Sequence, residues 1–364
     1  MKRRERIKTG LLLAMVLLLL TGSLISYRLV RSVPKPAYGQ MCAAARQMEA
    51  CMAELKAERL RRGLPIDAEE DRFATGMLGT GHTAITTTLG NLEAKRTACE
   101  PDMAALALDM LIEAGVQAGD RVGLCCTGSF PSLNLAAVCA AEALGAEPIV
   151  IVSVGASSYG ANLPEFTAPE MLLHLHEKDL LATAPAAVTL GGEEDVGKNM
   201  GARFFPEEEE PILNATVSRL QALTEITVIP DRGENLAWRE SVYGDIACFV
   251  SVGGHAMAMN PEDEISGYVI LKAKRPMADD SLIGYYLNRR VPVIQLLNIK
   301  GLCADYGIPF DPPTWPPIGT SAVYYRRQYP KLPLILSAAG TVGLLIALRL
   351  LTEREKRAAS SFPR

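Results

Sequence analysis

Residues 121–145 are RVGLCCTGSFPSLNLAAVCAAEALG. This stretch begins with a continuous apolar run, breaks at Thr127-Gly128-Ser129, and then has the apolar content and spacing of a helix that stops at Gly145. A strand, a tight turn and a helix form the repeating unit of parallel sheets. Ser129 stands on the turn, where α/β-hydrolases hold a nucleophile and nucleotide-binding folds hold a phosphate.

The alternation of strand and helix continues along the chain. Helices are predicted between apolar runs that we interpret as strands at 148–154, 186–190, 225–229, 246–252 and 291–294. Because these runs are continuously apolar, both faces of the sheet are expected to be covered by helices. A helix over 38–62 carries an apolar stripe that we expect to pack on the same domain.

Two uncharged apolar blocks, residues 11–26 and 332–348, stand near the chain ends. Each is near the lower length limit for crossing a bilayer, roughly 17 to 25 residues. The first has a positive start, MKRRERIK, but no small-x-small cleavage site, which favours an anchor over a signal peptide. The second is followed by a charged tail, which favours a membrane span over a buried core helix.

The predicted fold class is α/β, a mostly parallel, doubly wound (Rossmann-like) sheet flanked by N- and C-terminal transmembrane helices. Five cations lie between each apolar block and the nearer end of the chain, and three lie on the other side of the block. The positive-inside rule then predicts a cell-membrane protein with two spans, both termini cytoplasmic and the main domain extracytoplasmic. The predicted segments are a cytoplasmic tail (1–10), a span (11–27), a membrane-proximal helix and linker (28–75), the α/β domain (76–309), a Pro-rich connector (310–331), a span (332–349) and a second cytoplasmic tail (350–364).

The charge between the spans limits the classes of partner. Ten of the 37 cationic and three of the 41 acidic residues lie in the two tails, so the region between the spans carries a net charge of −11. Such a domain has no general attraction for nucleic acid, and no nucleic-acid partner is predicted. An acidic ligand would need a local site built from cations or backbone amides.

The eight cysteines fit neither a disulfide framework nor a metal motif by their spacing. Four of them stand in apolar runs and are predicted to be buried thiols: Cys125, Cys126, Cys139 and Cys248. No G-x-x-x-x-G-K-[ST] sequence is present, which argues against nucleotide binding. We therefore predict no metal and no cofactor.

Glycine-rich loops follow four of the predicted strands, at 127–132, 153–162, 190–197 and 251–259. Ligands of open parallel sheets bind outside the carboxyl ends of the strands, and glycine lets backbone amides approach them. Segment 86–97 adds Lys95 and Arg96, either as partners for a carboxylate or as a plain surface pair. The predicted ligand-binding residues are Thr87, Thr88, Lys95, Arg96, Thr127, Gly128, Ser129, Ser153, Gly155, Ser157, Ser158, Gly191, Gly192, Asp195, Gly253 and Gly254.

Ser129 is open to three interpretations. A nucleophile elbow has the form G-x-S-x-G, but here the sequence is T-G-S-F-P-S, with Pro131 in place of the second glycine. Ser129 is therefore a candidate nucleophile, a candidate ligand-contacting hydroxyl or a cap for the following helix. For a nucleophile, the best candidate base is His255, with Asp195 or Glu194 to orient it.

Four segments together resemble one bacterial family. The segments are ITTTLGNLEAKRT (85–97), TGSFPSLNLA (127–136), SVGASSYGANLPEFT (153–167) and LGGEEDVG (190–197). They resemble the poly-γ-glutamate system proteins, membrane proteins encoded beside components of poly-γ-glutamate capsule synthesis. The resemblance covers roughly residues 75–300 and the flanking spans.

The resemblance implies a membrane-anchored accessory component of poly-γ-glutamate synthesis or export. Its extracytoplasmic domain would bind the anionic glutamyl polymer or the synthase and export subunits. The alternative is a γ-glutamyl hydrolase or transferase with Ser129 as nucleophile. No catalytic residue is carried over from the family.

The topology can be tested with cysteines introduced on either side of the second span. We expect a membrane-impermeant maleimide to label Thr314→Cys in intact cells, because the cation bias places this segment outside. Ala358→Cys should react only after the cells are permeabilised, with the native chain as background control. Labelling of Ala358→Cys in intact cells would contradict the predicted cytoplasmic location of the C-terminus.

Overall fold

The computed structural model describes residues 2–201, 205–259, 268–272 and 276–360, so the end of the predicted C-terminal tail, 361–364, lies outside the described residues. The chain forms two compact units. The larger spans Pro36–Tyr324, and the other combines the two ends of the chain, up to Lys35 and from Tyr325.

The strands are β1 (Arg31–Pro34), β2 (Arg121–Cys126), β3 (Glu147–Ser153), β4 (Asn162–Leu163), β5 (Phe166–Thr167), β6 (Pro185–Thr189), β7 (Ile226–Thr227), β8 (Cys248–Val252), β9 (Val269–Ile270), β10 (Val293–Leu296) and β11 (Tyr325–Gln328). The helices are α1 (Lys2–Arg28), α2 (Tyr38–Arg61), α3 (Leu92–Ala98), α4 (Asp102–Glu113), α5 (Pro131–Leu144), α6 (Ala168–Glu177), α7 (Pro206–Gln221), α8 (Arg232–Tyr243), α9 (Leu282–Asn288), α10 (Ile299–Tyr306) and α11 (Lys331–Ser360).

Within the described residues, the larger unit is built on a seven-stranded sheet of order β7-β6-β3-β2-β8-β10-β9. Six of these strands are parallel, and β9 at one edge runs antiparallel to β10. The predicted mostly parallel sheet with flanking helices is therefore confirmed. Its narrower classification as Rossmann-like stays a prediction.

Both faces of the sheet are covered, as the continuous apolar strands predicted. Consecutive residues of a strand point to opposite faces, and β2 is buried from Val122 to Cys126. On one face, α8 and α9 contribute Tyr243 and Tyr286 to a cluster with Cys125 and Phe249. Helix α5 also packs on β2, β3 and β8, and α2 and α4 pack on α5.

The chain reverses its direction across the sheet at β2. Strands β3, β6 and β7 lie in succession on one side of β2, whereas β8 and β10 lie on the other side. The chain after β2 therefore continues to β3 on one side, whereas the chain after β8 continues to β10 on the other side. A crevice forms between the loops that follow these two strands. Ligands of open α/β sheets bind at this switch point.

Two segments outside the predicted bounds of the α/β domain belong to the larger unit. Helix α2 packs on α4 and α5, which confirms the prediction that its apolar stripe packs on the same domain. The Pro-rich segment packs through Asp311, which pairs with Arg72 at 2.7 Å, and through Trp315, whose ring stacks on Phe73 with centroids 4.2 Å apart. Up to Tyr324, this segment is therefore part of the folded unit instead of a free connector.

The second unit contains the two apolar terminal helices. Stretches Glu5–Arg28 and Lys331–Arg354 are long and apolar enough to cross a membrane. Within this unit α1 packs along α11, and β1 pairs antiparallel with β11. Helix α1 approaches α11 closely at Gly22, where a Cβ atom would collide with the side chain of Ser337.

We expect Gly123→Val in β2 to destabilise the larger unit. A Cβ atom at Gly123 would lie 2.8 Å from Cδ1 of Ile246 and 3.0 Å from Cδ1 of Tyr243. Overpacking of this kind costs typically about 1–3 kcal/mol. Thermal unfolding of the detergent-solubilised chain should show a lower midpoint. Gly39→Ala is the control, because a Cβ atom there meets nothing within 4 Å and alanine suits a helix better than glycine. Equal midpoints would contradict the packing at β2.

Candidate functional site

A cavity of about 670 Å³ lies at the carboxyl ends of the parallel strands. The loops after β2, β3, β6 and β8 contribute to it, and so does the segment that leads into α3. Of the predicted site residues, those that line the cavity are Thr87, Thr88, Lys95, Thr127, Ser129, Ser153, Gly155, Ser157, Gly191, Gly192, Gly254 and His255. The sequence did not single out Leu89, Gly90, Asn91, Ala94, Phe130, Glu193, Asn199, Ala256 and Leu297, which complete the lining.

Five predicted site residues are not part of this lining: Arg96, Gly128, Ser158, Asp195 and Gly253. Each has a structural role in the loops around the cavity. A Cβ atom at Gly128 would lie 2.6 Å from the carbonyl oxygen of Val154, and the buried Ser158 donates to the carbonyl of Gly81 at 2.7 Å. Gly253 has a φ of +74°, a conformation that glycine adopts without strain.

Lys95 and Arg96, adjacent in the sequence, have different environments. Arg96 makes a bidentate ion pair with Asp311, in which Nε and Nη2 donate to the carboxylate at 2.9 and 2.8 Å. Its charge is therefore paired within the fold, and Arg96 is not among the residues that line the cavity. Asn91 caps α3 by accepting from the Ala94 amide at 2.8 Å, which fixes the helix phase that places Lys95 in the lining.

Lys95 is a buried cation without a carboxylate partner among the described residues. Only 3% of the residue is exposed. Its Nζ donates to the carbonyl of Ser129, lies 2.7 Å from Oγ of Ser157 and stands 3.7 Å from the ring centroid of Phe130. Burial removes the charged form from water and lowers the pKa of Lys95 to about 7. The amine is thus close to half protonated at neutral pH.

The structure assigns Ser129 a contact that the sequence did not predict. Its Oγ accepts a hydrogen bond from the backbone N–H of Ser157 at 3.0 Å, which ties the loop after β2 to the loop after β3. The N-cap of α5 is Phe130, and no side chain caps this helix. The interpretation of Ser129 as a helix cap is therefore wrong.

His255 does not have the geometry of a base for Ser129. The backbone N–H of Met257 donates to Nδ1 at 3.0 Å, so this nitrogen carries no proton. The other ring nitrogen, Nε2, then carries the proton and faces Oδ1 of Asp195 at 3.4 Å. Since both nitrogens are engaged, His255 has no lone pair to offer a substrate, although the predicted pairing of His255 with Asp195 is present.

Asp195 is the centre of a buried polar network beneath the cavity. It pairs with Arg239 of α8 at 2.6 Å, and both side chains are fully buried. The hydroxyl of Thr189 and the amide of Gly191 donate to its Oδ1 at 2.8 and 3.0 Å. Burial alone would raise the pKa of Asp195, but His255 and Arg239 outweigh it and lower the pKa well below the usual value. The network joins the loops after β6 and β8 to α8.

Desolvation also acts on the imidazole of this network. Burial and the charge of Arg239 lower the pKa of His255, which keeps the ring neutral at neutral pH. A neutral ring between a carboxylate and a backbone amide positions the loop after β8 without adding charge to the cavity.

Glycine at position 155 is required by the close approach of three loops. A Cβ atom there would lie 2.9 Å from the methyl group of Thr87, 3.0 Å from Cε of Met200 and 3.1 Å from the amide nitrogen of Gly192. Segment 86–97, the loop after β3 and the loop after β6 therefore meet at this point. In contrast to this tightly packed point, Leu89 is at the rim of the lining, with 94% of its surface exposed.

No protein-family model, curated protein or solved structure gives a significant match to the chain. The chemistry of the cavity is therefore inferred from its residues.

We expect Arg239→Met to destabilise the fold severely, because it leaves the Asp195 carboxylate buried without its charge partner. Breaking a buried ion pair in this way costs about 3–5 kcal/mol. Thermal unfolding of the solubilised chain measures the loss. Lys198→Met is the control, since Lys198 makes a solvent-exposed pair with Glu194 near the cavity and such pairs contribute little. Similar midpoints for the two variants would contradict the role of the network.

Proposed function

We propose that the chain is a membrane-anchored protein whose α/β unit binds a carboxylate-bearing ligand in the cavity at the carboxyl ends of the strands. The observation that carries this proposal is the burial of Lys95 in the cavity lining without a carboxylate partner among the described residues. A buried ammonium group without a counter-charge is unfavourable, and an incoming carboxylate would supply the missing partner.

The remaining lining supports an anionic ligand of moderate size. Among the described residues of the lining, Lys95 is the only lysine or arginine and Glu193 is the only carboxylate. Helix α5 begins directly after Phe130 without a side-chain cap, so its amino end also favours negative charge beside the cavity.

The resemblance to the poly-γ-glutamate system proteins suggests the ligand class. A γ-linked glutamate chain carries one free carboxylate on each residue and is joined by amide bonds. In this proposal, the two terminal helices anchor the protein, both termini are cytoplasmic, and the Rossmann-like domain faces outward as an accessory component of polymer synthesis or export. The polymer, or the synthase and export subunits, would be its partners.

The acidic charge of the region between the spans restricts how the polymer binds. With a net charge of −11, the surface as a whole repels a polyanion. Binding is therefore expected at the cavity, through a few glutamyl residues, and not along an extended surface.

The alternative of a γ-glutamyl hydrolase or transferase with Ser129 as nucleophile has less support. The Oγ of Ser129 already accepts the amide of Ser157, and the ring nitrogens of His255 are both engaged. A base for Ser129 is therefore lacking in the arrangement that the sequence suggested.

Titration with an oligomer of γ-linked glutamate tests the proposed ligand. We expect Lys95→Met to weaken binding to the full-length solubilised chain by the worth of one hydrogen bond to a charged group. This is about 1.5–3 kcal/mol, or roughly 10- to 150-fold in Kd. Arg96→Gln is the matched control on the same helix and should bind like the native chain. Equal weakening by both variants would indicate a general charge effect, and no binding by the native chain would reject the ligand class.

Binding should also depend on pH in a defined direction. Because the pKa of Lys95 is about 7, the ammonium that pairs with the ligand is present below pH 7 and is lost as the pH rises through 7. Glutamyl carboxylates are ionised above about pH 4.3. We therefore expect the highest affinity between these two values and a decline above pH 7 that Lys95→Met lacks. An affinity that increases above pH 7 would contradict pairing with the ammonium.

A further inference from the structure

The cavity contains a serine hydroxyl in contact with the amine of Lys95. The Nζ atom lies 2.7 Å from Oγ of Ser157, within hydrogen-bond distance. Ser157 and Lys95 both line the cavity, and Ser157 keeps 7% of its surface exposed. From the sequence, Ser157 was predicted to bind a ligand, and the candidate nucleophile was Ser129.

We propose that Ser157 is an acyl-accepting nucleophile and that the neutral amine of Lys95 is its general base, so that the cavity catalyses acyl transfer from an amide or ester. The inference uses the same cavity as the proposed function and rests on ligand entry there. It requires the other protonation state of Lys95, the neutral amine.

Both groups are held in place by contacts outside the pair. The backbone around Ser157 is fixed by three hydrogen bonds, from the amides of Ala156, Ser157 and Ser158 to Ile85, Ser129 and Thr88 respectively. The Lys95 amine is held by the carbonyl of Ser129 and lies over the ring of Phe130. Such preorganisation lowers the cost of reaching a reactive geometry.

The surroundings of Lys95 are compatible with a neutral amine. Cys99, the residue just after α3, is fully buried, and burial raises the pKa of its thiol to about 12, so it carries no charge. The other titratable groups in the lining are Glu193 and the neutral His255. With a pKa of about 7, Lys95 is suited to take a proton at neutral pH, as a general base requires. Serine–lysine pairs are one of the known variants of serine-based acyl transfer.

The proposed reaction is balanced with water as the only co-reactant. Neutral Lys95 takes the hydroxyl proton of Ser157 while Oγ bonds to the carbonyl carbon, and the carbonyl electron pair moves to oxygen. Collapse of this intermediate breaks the bond to the leaving amine or alcohol, which takes the proton from Lys95. Water then attacks the Ser157 ester, giving its proton to Lys95, and Oγ leaves and recovers that proton. The amino end of α5, uncapped by any side chain, favours the negative oxygen of the intermediate.

A fluorophosphonate, which modifies activated serines, tests the pair directly. The full-length chain in detergent is incubated with the reagent, and the modified residue is located by peptide mass spectrometry. We expect an adduct on Ser157 that is absent from Ser157→Ala. Ser158→Ala is the matched control, since the adjacent hydroxyl lies outside the cavity lining and should leave the labelling rate unchanged.

The base is tested by the rate of labelling. We expect Lys95→Met to slow the reaction roughly 10²- to 10⁴-fold, the usual contribution of a general base. The rate of the native chain should rise as the pH increases through 7, because the amine is then neutral. If Lys95→Met does not fold, the serine variants and the pH profile still decide.

Three results would overturn the inference: an adduct on Ser129, the absence of any adduct, or an equal rate for Ser157→Ala and the native chain. The proposed ligand fails separately, because its test is the binding of the γ-linked oligomer. Binding without labelling rejects acyl transfer and keeps the ligand site. Labelling without oligomer binding keeps the serine–lysine pair and rejects the ligand class.

Discussion

The position of β2 at the middle of the sheet is the constraint on which the larger unit depends. Its backbone pairs with β3 on one side and with β8 on the other, and the chain order reverses at this strand. All three strands are parallel, so their carboxyl ends meet at one edge. Loops from distant parts of the chain therefore line one cavity at this edge.

Two buried cations near this edge show how burial selects chemistry. Arg239 is matched by Asp195, and further hydrogen bonds satisfy the carboxylate, so the pair holds loops together. Lys95 has the carbonyl of Ser129 and the hydroxyl of Ser157 as neighbours, and neither neutralises its charge. The cost of burial is offset within the fold in the first case. In the second case, the cost of burial appears as a lowered pKa of Lys95. Its ammonium form can pair with a carboxylate, and its neutral form can accept a proton.

Much of the fold followed from the sequence, because the period of apolar residues and the turn residues are local properties. Strand β2 ends at the predicted break before Thr127, helix α5 ends just before Gly145 as predicted, and α2 ends one residue earlier than predicted. The two-residue strand β9 was missed, since a pattern so short carries no period. Helix α3 was also missed, because its seven residues lie almost wholly within segment 86–97 and are too few to show a clear helical period.

The sequence by itself determined that glycine-rich loops follow the strands of a parallel sheet, and parallel topology then brings their ends to one edge. The function of individual side chains depended on tertiary structure. Lys95 and Arg96 are equivalent in a linear sequence, but a helix turns by about 100° per residue, so only one of them lines the cavity. Ser157 lies 62 residues from Lys95 along the chain, and only the packing of their two loops places the hydroxyl beside the amine.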